Sequence, residues 1–502
     1  MVNYAMKDGK LLVKEEAIPV MAEYDVVVVG GGVAGVGAGL AAARAGKKTI
    51  IIEVTSALGG LVTMGLVNIP LDFVSGIGSE MFRELEKVNA LWHRNSDPEK
   101  HKLVLDRMLR QYGCDSLLVT PVVDAIVEGN AVRGVVVHTK TGRQAILGKR
   151  FVDASGDSDL VYFAGGECEC GREEDNISMG CSLEFVLGGV DWEAYLNSSL
   201  KAEDPKWIRT IAEALEAGDL PYEIDNHINW MTHIPGRPQH CGKDEVSICF
   251  AHSRFCRPTD NRDLTRMYIE GREQVDILTN FIKKRIPGFE NSYLIYTGSL
   301  LGVRESRRIV GVDRFTGMDI AYARKKDDVI AVSQHGFDLH GIECAGNIKW
   351  FKGTLPDGRE AYIGNRAGFG SQFPPDDGLP QVNMSELIPD GQYFYDIPYG
   401  AMLPVRLDNV LAAGRNLSSD IYGQSGCRLI MLCMTLGEAA GTASAMSLDA
   451  GVTPRALDVA SLQRQLAQND VNIGQGFREI PALRDVKADF SHHKVTYINR
   501  NG

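Results

Sequence analysis

Tyr24-Asp-Val-Val-Val-Val-Gly-Gly-Gly-Val-Ala-Gly35 is the stretch that decides the fold, and it continues through a run of small residues into Thr49-Ile-Ile-Ile-Glu53. The four valines predict a buried parallel strand. The glycines after them allow a sharp turn, close approach to a pyrophosphate and tight packing of a helix on the strand. Glu53, about twenty residues farther on, can accept hydrogen bonds from both hydroxyls of an adenosine ribose. The pattern therefore predicts a dinucleotide-binding site.

The composition indicates a soluble globular protein. The uncharged run from Val26 to Ala43 approaches the length of a membrane span, but its six glycines and strand-like start disfavour a lipid-facing helix. At 502 residues, with 44% hydrophobic and 24% charged residues, the chain can form two or three domains. A net charge of −12 disfavours nucleic acid and anionic membranes as partners, because binding to either needs a surplus of Lys and Arg.

The first twenty residues and the cysteines predict the cellular setting. Lysines and glutamates interrupt the short apolar pieces at the start, so no secretory signal is indicated and a cytoplasmic location is expected. The ten cysteines contain no Cys-x-x-Cys pair, and Cys168-Glu-Cys170 is the closest couple. Reduced thiols are therefore expected, and no metal site is predicted.

Strand-like, helix-like and glycine-rich segments alternate along the chain, which predicts an α/β fold. A glycine-rich loop spans Leu58–Gly65, and residues 79–112 have helical spacing of apolar positions. A strand ending at Val152–Asp157 closes on small residues, which indicates close approach of the backbone to a ligand. Near the end, Asn409–Asn416 reads as an apolar strand that runs into a glycine and a cation, and 428–446 reads as one long helix rich in small residues.

These motifs together resemble the FAD-dependent oxidoreductases that share the two-domain flavoprotein fold of glutathione reductase relatives. The resemblance covers most of the chain, through Gly30–Gly35, Leu58–Gly60, Val152–Asp157, Gly302–Arg308, Tyr395–Tyr399, Ala413–Asn416 and Leu436–Gly441. That family is broad, so the resemblance implies a cofactor without implying a particular substrate.

By this resemblance the cofactor is FAD. The glycine fingerprint and Glu53 would bind its ADP half, the main chain of Val122 would meet the adenine, and Gly414–Arg415 would approach the pyrophosphate and ribityl region. Ser155 stands where many relatives carry Thr, which keeps the hydroxyl group. The predicted cofactor residues are Gly30, Gly32, Val33, Ala34, Gly35, Glu53, Val54, Gly59, Gly60, Leu61, Val62, Val122, Ala154, Ser155, Gly156, Gly414, Arg415 and Arg428.

NAD is the rival occupant of the first site. The late strand and helix at 409–446 favour FAD, because an elongated and permanently held cofactor needs contacts from both ends of the chain. No second GxGxxG follows a later strand, so a separate NAD(P)H domain is not predicted. Electrons are expected to come from a substrate or a partner protein.

The predicted architecture is a Rossmann-like FAD-binding domain with an inserted α+β substrate domain. A composition shift near Gly166, toward aromatic residues, His and Arg, marks the insert. The predicted bounds are 20–165 for the first part of the FAD-binding domain, 166–394 for the substrate domain, 395–475 for the second part and 476–502 for a C-terminal tail.

Arg304, His233 and Tyr422 are the predicted catalytic residues. Arg304 could hold an anionic substrate or stabilise an enolate, with an ion pair to a local acid as the alternative, whereas Arg307 and Arg308 are expected in such local pairs. His233 is the predicted acid or base because histidine titrates near neutrality. Tyr422, and Asp420 beside it, follow the Gly414–Arg415 motif. His252, His335 and His340 have less distinctive sequence settings.

The start of the predicted late helix, near Gly426–Arg428, is expected to face the flavin. Reduction leaves negative charge near N1 and O2 of the ring, and a helix N-terminus offers oriented N–H groups and partial positive charge there. An ordinary core helix capped by a loop is the alternative.

The sequence thus predicts an FAD-dependent dehydrogenase or reductase that transfers a hydride between flavin and a carbon of a small polar metabolite. One alternative is a flavin electron-transfer subunit of a heterodisulfide reductase-like complex, which the lack of cysteine clusters disfavours. The other is a flavin-dependent RNA-modifying or non-catalytic FAD-binding protein, and the acidic balance disfavours RNA. A small-molecule substrate is the expected partner. Nucleic acid and membranes are not expected as partners, and the sequence leaves open whether the chain forms a homo-oligomer.

Overall fold

The computed structural model describes residues 4–7, 10–13, 17–92, 94–234, 244–364, 370–388 and 393–486. Residues 487–502 of the predicted C-terminal tail lie outside these ranges. In the described chain a seven-stranded sheet is the central feature, and five of its strands are parallel. In spatial order the sheet contains Asp115–Leu117, Thr49–Ile52, Val20–Val29, Gly142–Asp153, Ala131–Thr139 and Val122–Glu128, with Val410–Ala412 also paired to Gly142–Asp153. This arrangement confirms the predicted α/β fold with a Rossmann-like sheet.

The valine run forms the predicted buried strand. Val26, Val27 and Val28 are fully buried between the two neighbouring parallel strands. Gly30 then turns the chain with φ of +99°, a backbone conformation that favours glycine, and the helix Val33–Arg44 begins three residues later. The turn is tight, because a Cβ on Gly35 would lie 1.8 Å from the carbonyl oxygen of Gly30.

A long helix from the far end of the chain, Ile430–Asp449, packs along Val33–Arg44 at backbone distance. A Cβ on Gly437 would lie 1.9 Å from the carbonyl oxygen of Ala34, and a Cβ on Gly441 would lie 2.1 Å from that of Ala38. Glycine at these positions therefore brings the late segment against the glycine-rich turn. The two ends of the chain meet beside the predicted dinucleotide site.

The long helix begins later than the sequence predicts. It starts at Ile430, and Ile421–Cys427 forms a separate short helix bent by 92° from it. Leu429 is the N-cap residue, and it makes no side-chain capping hydrogen bond. The predicted start near Gly426–Arg428 is therefore wrong, and Arg428 lies in the bend.

The predicted helix over 79–112 is two helices, Gly76–Lys87 and Pro98–Tyr112. The second helix begins at Pro98 because Asp97 accepts hydrogen bonds from the N–H groups of Glu99 and Lys100, at 2.9 and 3.4 Å. An Asp-Pro pair is a helix-start signal that was present in the sequence.

The inserted region is built on an antiparallel sheet. Its spatial order is Trp230–His233, Asp244–Ser253, Cys181–Val190 and Tyr293–Thr297, and the helix Asn261–Arg285 packs on it. Together they enclose a second hydrophobic core that includes Trp207. Phe315, Phe351 and Ile363, by contrast, join the core around the glycine-rich helix. The predicted domain bounds stay a prediction.

The remaining elements are short. The other helices and 3-10 turns are Gly60–Val62, Asp159–Phe163, Trp192–Leu196, Ser199–Glu203, Ile208–Glu216, Gly317–Ala321, Met384–Leu387, Tyr399–Met402, Pro454–Ala456, Val459–Gln468 and Pro481–Leu483. The other strands are Tyr4–Lys7, Lys10–Val13, Leu91–Trp92, Asn95–Ser96, Cys168–Cys170, Arg307–Ile309, Val329–Ser333, Leu339–His340, Asn347–Ile348, Trp350–Thr354, Glu360–Gly364, Ser371–Gln372, Gln381–Asn383 and Tyr395–Pro398.

Within the described ranges, no single helix is long and apolar enough to cross a membrane. Ile421–Cys427 and Ile430–Asp449 meet the length and composition requirement only as a pair. The bend between them is 92°, and the second helix is almost wholly buried inside the protein.

Candidate active site

A cleft of about 380 Å³ opens where the parallel strands end. Val29, Ile52, Ala154 and Ala413 line it, and each stands at or just after the carboxyl end of a different parallel strand. Ligands of open α/β sheets bind at this edge. The predicted cofactor residues that line the cleft are Gly30, Gly32, Val33, Ala34, Glu53, Val54, Gly60, Leu61, Val122, Ala154, Ser155, Gly156, Gly414, Arg415 and Arg428.

Three predicted cofactor residues do not line the cleft. Gly35 packs on the backbone of Gly30 instead. Gly59, with φ of +96°, forms a bridge to Gly32, and Val62 is fully buried in the hydrophobic core. All three shape the walls from behind.

Gly32 gives the cleft open space above the helix N-terminus. It is the N-cap residue of Val33–Arg44, and no side chain caps that helix end. A Cβ built on Gly32 would meet no atom within 4 Å, so it would project into the cleft. The first turn of the helix can thus present its N–H groups to an anionic group.

Glu53 lines the cleft at the end of its strand and is buried. One carboxylate oxygen accepts a hydrogen bond from the Gly31 N–H at 2.6 Å, and the other accepts one from the Thr55 N–H at 2.7 Å. These contacts fix the carboxylate at the cleft wall, and each oxygen keeps a further lone pair for a ligand hydroxyl.

Arg415 is held by an acid that the sequence analysis did not single out. Its guanidinium donates to the Asp157 carboxylate at 2.6 Å and to the Ser306 hydroxyl at 2.6 Å. Asp157 and Asp159 both line the cleft, and Asp159 pairs with Arg307 at 2.5 Å. Their position just after the small residues at 154–156 was the available signal.

Arg428 connects the cleft to a buried polar cluster. It lines the cleft beside Ile430 and Cys433 of the long helix. One of its nitrogens donates to the Asp338 carbonyl oxygen at 2.7 Å, and the Asp338 carboxylate lies 3.5 Å from the same nitrogen. Its Nε is buried and, among the described residues, has no hydrogen-bond partner. Burial lowers the pKa of Arg428 to about 10.

His233 and Tyr422 are not brought to the cleft. His233 lies on the edge strand of the second sheet, 3.0 Å from the Asp244 carboxylate, with its ring between Trp92 and Trp192. Tyr422 packs on Phe351, with ring centroids 5.1 Å apart. The structure therefore does not assemble these two predicted catalytic residues with Arg304.

Asp420 has a structural role at the start of the short helix. Its carboxylate accepts hydrogen bonds from the N–H groups of Gly423 at 2.6 Å and Gly317 at 3.0 Å. This caps the helix and ties it to a neighbouring segment.

Arg304 is buried with no carboxylate within ion-pair distance in the described chain. Its guanidinium donates to the Gly180 carbonyl oxygen at 2.7 Å and to Nε2 of His252 at 3.2 Å. The neighbouring arginines differ, because Arg307 pairs with Asp159 and Arg308 with Glu305, which confirms the expectation of local ion pairs for both.

His252 links Arg304 to Asp225 and has one tautomer. A guanidinium can only donate, so Nε2 of His252 must accept, and Nδ1 carries the proton. That Nδ1–H donates to the Asp225 carboxylate at 2.6 Å. With one ring nitrogen accepting and the other donating, the imidazole is neutral, and burial favours this form by lowering the pKa of His252 although Asp225 opposes the shift. Burial by itself would raise the pKa of Asp225, but the His252 hydrogen bond helps to hold it below its usual range.

His340 lies next to His252 and Asp338, the partners of the two arginines. Its ring centroid is 5.8 Å from that of His252, and its Nε2 is 3.5 Å from the Asp338 carboxylate. Burial and then the charge of Arg304 lower the pKa of His340, and Arg428 adds to this effect. A neutral imidazole at this point can accept a proton.

Sequence reasoning found Arg304 and Arg428 but missed their histidine partners. His252 comes from the second sheet, His340 from a short strand of residues 339–340, and Asp225 from a loop. Only the fold brings these three segments together, so no local motif could reveal the cluster.

The sequence profile of the FAD dependent oxidoreductase family matches residues 25–466, which is most of the chain. The chain belongs to this family. It is therefore an FAD-dependent oxidoreductase, and the predicted cofactor is confirmed.

The chain is similar to two curated proteins over less than two thirds of their own lengths. With the tRNA uridine 5-carboxymethylaminomethyl modification enzyme MnmG of Pelobacter propionicus it shares 28% identity over 194 residues, 34% of this chain and 30% of the relative. With urocanate reductase of Eggerthella lenta it shares 20% identity over 405 residues, 72% of this chain and 65% of the relative. Among solved structures, a geranylgeranyl bacteriochlorophyll reductase-like protein of Thermoplasma acidophilum has 14% identity and a TM-score of 0.44, covering 89% of this chain and 84% of that one.

The cleft of this flavoenzyme fits the family's cofactor in its residue chemistry. The open space at Gly32 beside an uncapped helix start suits a pyrophosphate, and Glu53 suits a ribose. At Ile430 the start of the long helix offers N–H donors, beside the positive charge of Arg428, for a ring that gains negative charge on reduction. The predicted role of the helix N-terminus, which is to stabilise negative charge on the reduced ring, therefore belongs to the helix start at Ile430 and not to Gly426–Arg428.

Replacing Glu53 by Ala is expected to weaken FAD binding about 10-fold to 100-fold, because the ribose hydroxyls lose a charged acceptor. The N–H groups of Gly31 and Thr55 also lose their partner, which loosens the loop. The measurement is the FAD dissociation constant of the apoprotein by flavin fluorescence. Glu23→Ala, at an exposed position of a neighbouring strand, is the control. Unchanged affinity in the Glu53 variant would remove this residue from the site.

Proposed function

We propose that this flavoenzyme transfers a hydride between FAD and a carbon of a small polar metabolite. The observation that carries the proposal is the buried cluster of two arginines and two neutral histidines, which reaches the cofactor cleft through Arg428. Bound FAD supplies the hydride acceptor or donor. The chain must supply substrate binding, orientation and a place for the accompanying proton.

Each part of the cluster has a role that follows from its contacts. Arg304 and Arg428 can bind and orient a polar substrate, because guanidinium forks form paired hydrogen bonds. His340 is the better candidate for holding the proton, since Nε2 of His252 is already occupied by Arg304. The enclosure of the cluster excludes water, which strengthens these interactions.

The test is anaerobic incubation of the FAD-loaded protein with a library of polar metabolites while flavin absorbance is followed. The expected result is bleaching by a small chemical group of related compounds, or reoxidation of photoreduced flavin by them. His340→Gln should slow this reaction about 100-fold or more, as expected for loss of acid–base catalysis. Photoreduction of the variant's flavin should be unaffected.

The library also separates the proposal from its alternatives. If no compound changes the flavin while an iron–sulfur partner copurifies in fixed ratio, the protein is an electron-transfer subunit. Tight, salt-sensitive retention of RNA on filters would favour the RNA-modifying alternative. Either result would overturn the proposed hydride transfer to a small metabolite.

A further inference from the structure

We propose that the substrate carries a carboxylate, that Arg304 and Arg428 bind this group, and that Asp225 acts through His252 as a positioning residue for Arg304. The proposal rests on the proposed function, since it names the substrate class of the same site. Family membership alone does not indicate which chemical group of a substrate this site binds.

The charges of the cluster are unbalanced. Its cations are Arg304, Arg428 and Lys349, and its ionised carboxylates are Asp225 and Asp338. The buried carboxyl of Glu184, which lies near Arg304, counts as neutral because burial raises its pKa to about 8. Lys349 and Arg428 both share Asp338, so neither has a carboxylate to itself. One positive charge is left over in a buried region, where an unpaired charge is costly. A substrate carboxylate would neutralise this surplus positive charge.

The two arginines have hydrogen-bonding capacity of the right kind. Arg304 is more than nine-tenths buried, and its direct partners are a carbonyl oxygen, a neutral imidazole and the Cys249 sulfur. Arg428 keeps a buried Nε–H without a partner in the described chain. Carboxylates are the ligands that such guanidinium donors prefer.

Residues of the cluster line two separate cavities. Val303, next to Arg304, lines the cofactor cleft together with Arg428. His252 and His340 line a small cavity on the other side, which has room for about one water molecule. A substrate carboxylate bound by Arg428 would therefore reach the cluster from the cofactor cleft, whose wall includes Val303, next to Arg304.

Asp225 and His252 hold Arg304 in place. Asp225 accepts hydrogen bonds from His252 and from the Gly346 N–H at 2.8 Å, so the carboxylate itself is fixed from two sides. The Gln424 side chain donates to the Arg304 carbonyl oxygen at 2.7 Å and fixes the backbone. In this chain of hydrogen bonds Asp225 orients and polarises the neutral His252 ring, so that Nε2 is a better acceptor for Arg304, and the guanidinium keeps its charge because it does not contact the carboxylate.

The experiment is an equilibrium titration of the FAD-loaded protein with acetate, malonate and succinate, compared with acetamide, malonamide and succinamide at constant ionic strength. Flavin difference spectra report binding, and saturation-transfer NMR detects ligands that do not perturb the flavin. We expect at least one carboxylate to bind about 10-fold or more tighter than its amide. Arg304→Gln and Arg428→Gln should each remove this preference.

The positioning role has its own variants. His252→Gln can still accept a hydrogen bond from Arg304 and should keep most of the carboxylate preference, whereas His252→Leu should lose it. Asp225→Asn should weaken carboxylate binding about 3-fold to 10-fold. Asp204→Asn is the matched control, because Asp204 is also buried in the inserted region but hydrogen-bonds Thr210.

These outcomes are separate from those of the proposed function, because binding does not require turnover. Equal binding of acids and amides, or a preference that survives in both arginine variants, would overturn the proposal even if a metabolite bleaches the flavin. A lowered flavin reduction potential in the arginine variants without any carboxylate preference would assign the surplus charge to the reduced cofactor instead.

Discussion

Gly32→Ala is expected to leave the fold intact and to weaken FAD binding by about 10-fold to 100-fold, and Gly32→Val is expected to abolish detectable binding. Gly32 has φ of −62° and ψ of 178°, which any residue adopts, and no atom lies within 4 Å of a Cβ built there. The added methyl group therefore meets the cofactor and not the protein. The measurement is flavin content after purification together with the FAD dissociation constant of the apoprotein.

The stability of the two apoproteins separates a blocked cleft from a damaged fold. Alanine is a poorer N-cap than glycine, so a loss of up to about 1 kcal/mol in the free energy of unfolding is expected without FAD. Gly129→Ala, at a turn with φ of +60° and open surroundings, adds backbone strain that Gly32→Ala lacks, and as a control it should keep full FAD binding. Normal flavin content in Gly32→Val would place the pyrophosphate elsewhere.

The cofactor cleft could be predicted from the sequence because its signals are local. A valine strand, the glycines after it and Glu53 all lie within about thirty residues, the length of one βαβ unit. Gly414 and Arg415 were recognisable because they follow an apolar strand, and the structure pairs that strand with Gly142–Asp153. Gly30, Glu53 and Gly414 line the cleft just after strand ends, where the fold fixes the direction of the chain.

The break before the long helix could not be predicted in the same way. The sequence predicts one long helix over 428–446, where the residues are mostly small or apolar, and it gives no signal for the short helix Ile421–Cys427 or for the bend after it. The bend is set by distant contacts: the Tyr395 hydroxyl donates to the Gly426 carbonyl oxygen at 3.0 Å, and Asp338 accepts from Arg428. Tertiary contacts here override local helix propensity.

The histidines of the site could not be predicted from local sequence either. His233 has the more distinctive sequence setting, among aromatic residues, yet those aromatic neighbours pack around its ring on an edge strand. His252 has no local signal, and it gains its place through the pairing of Asp244–Ser253 with Cys181–Val190 and through contact with Arg304. Arg304 itself was found because its basic side chain stands in a family motif.

Glu184 also belongs to this buried cluster, and its replacement is expected to change the pH dependence of stability strongly. It is 1% exposed on the strand Cys181–Val190, and its Oε2 has no partner in the described chain. Its Oε1 accepts from the Ser182 hydroxyl at 3.3 Å, and Arg304 lies near enough to oppose the shift in its pKa. Burial nevertheless raises the pKa of Glu184 from the ordinary value of 4.5 to about 8. The folded protein therefore keeps a proton here at neutral pH.

Glu184→Gln is expected to flatten the pH dependence of stability. Between pH 4.5 and 8 the folded state holds the Glu184 proton and the unfolded state does not, so this contribution is complete at low pH and is lost as the pH rises through that window. Across it the free energy of unfolding of the natural protein should fall, relative to the variant, by about 4 kcal/mol. Urea unfolding of the FAD-saturated proteins from pH 5 to 9 measures this difference, with Glu128→Gln, whose side chain is 75% exposed, as control. Parallel stability curves for the natural protein and Glu184→Gln would mean that Glu184 is already ionised in the fold, and the cluster beside Arg304 would then carry no surplus positive charge.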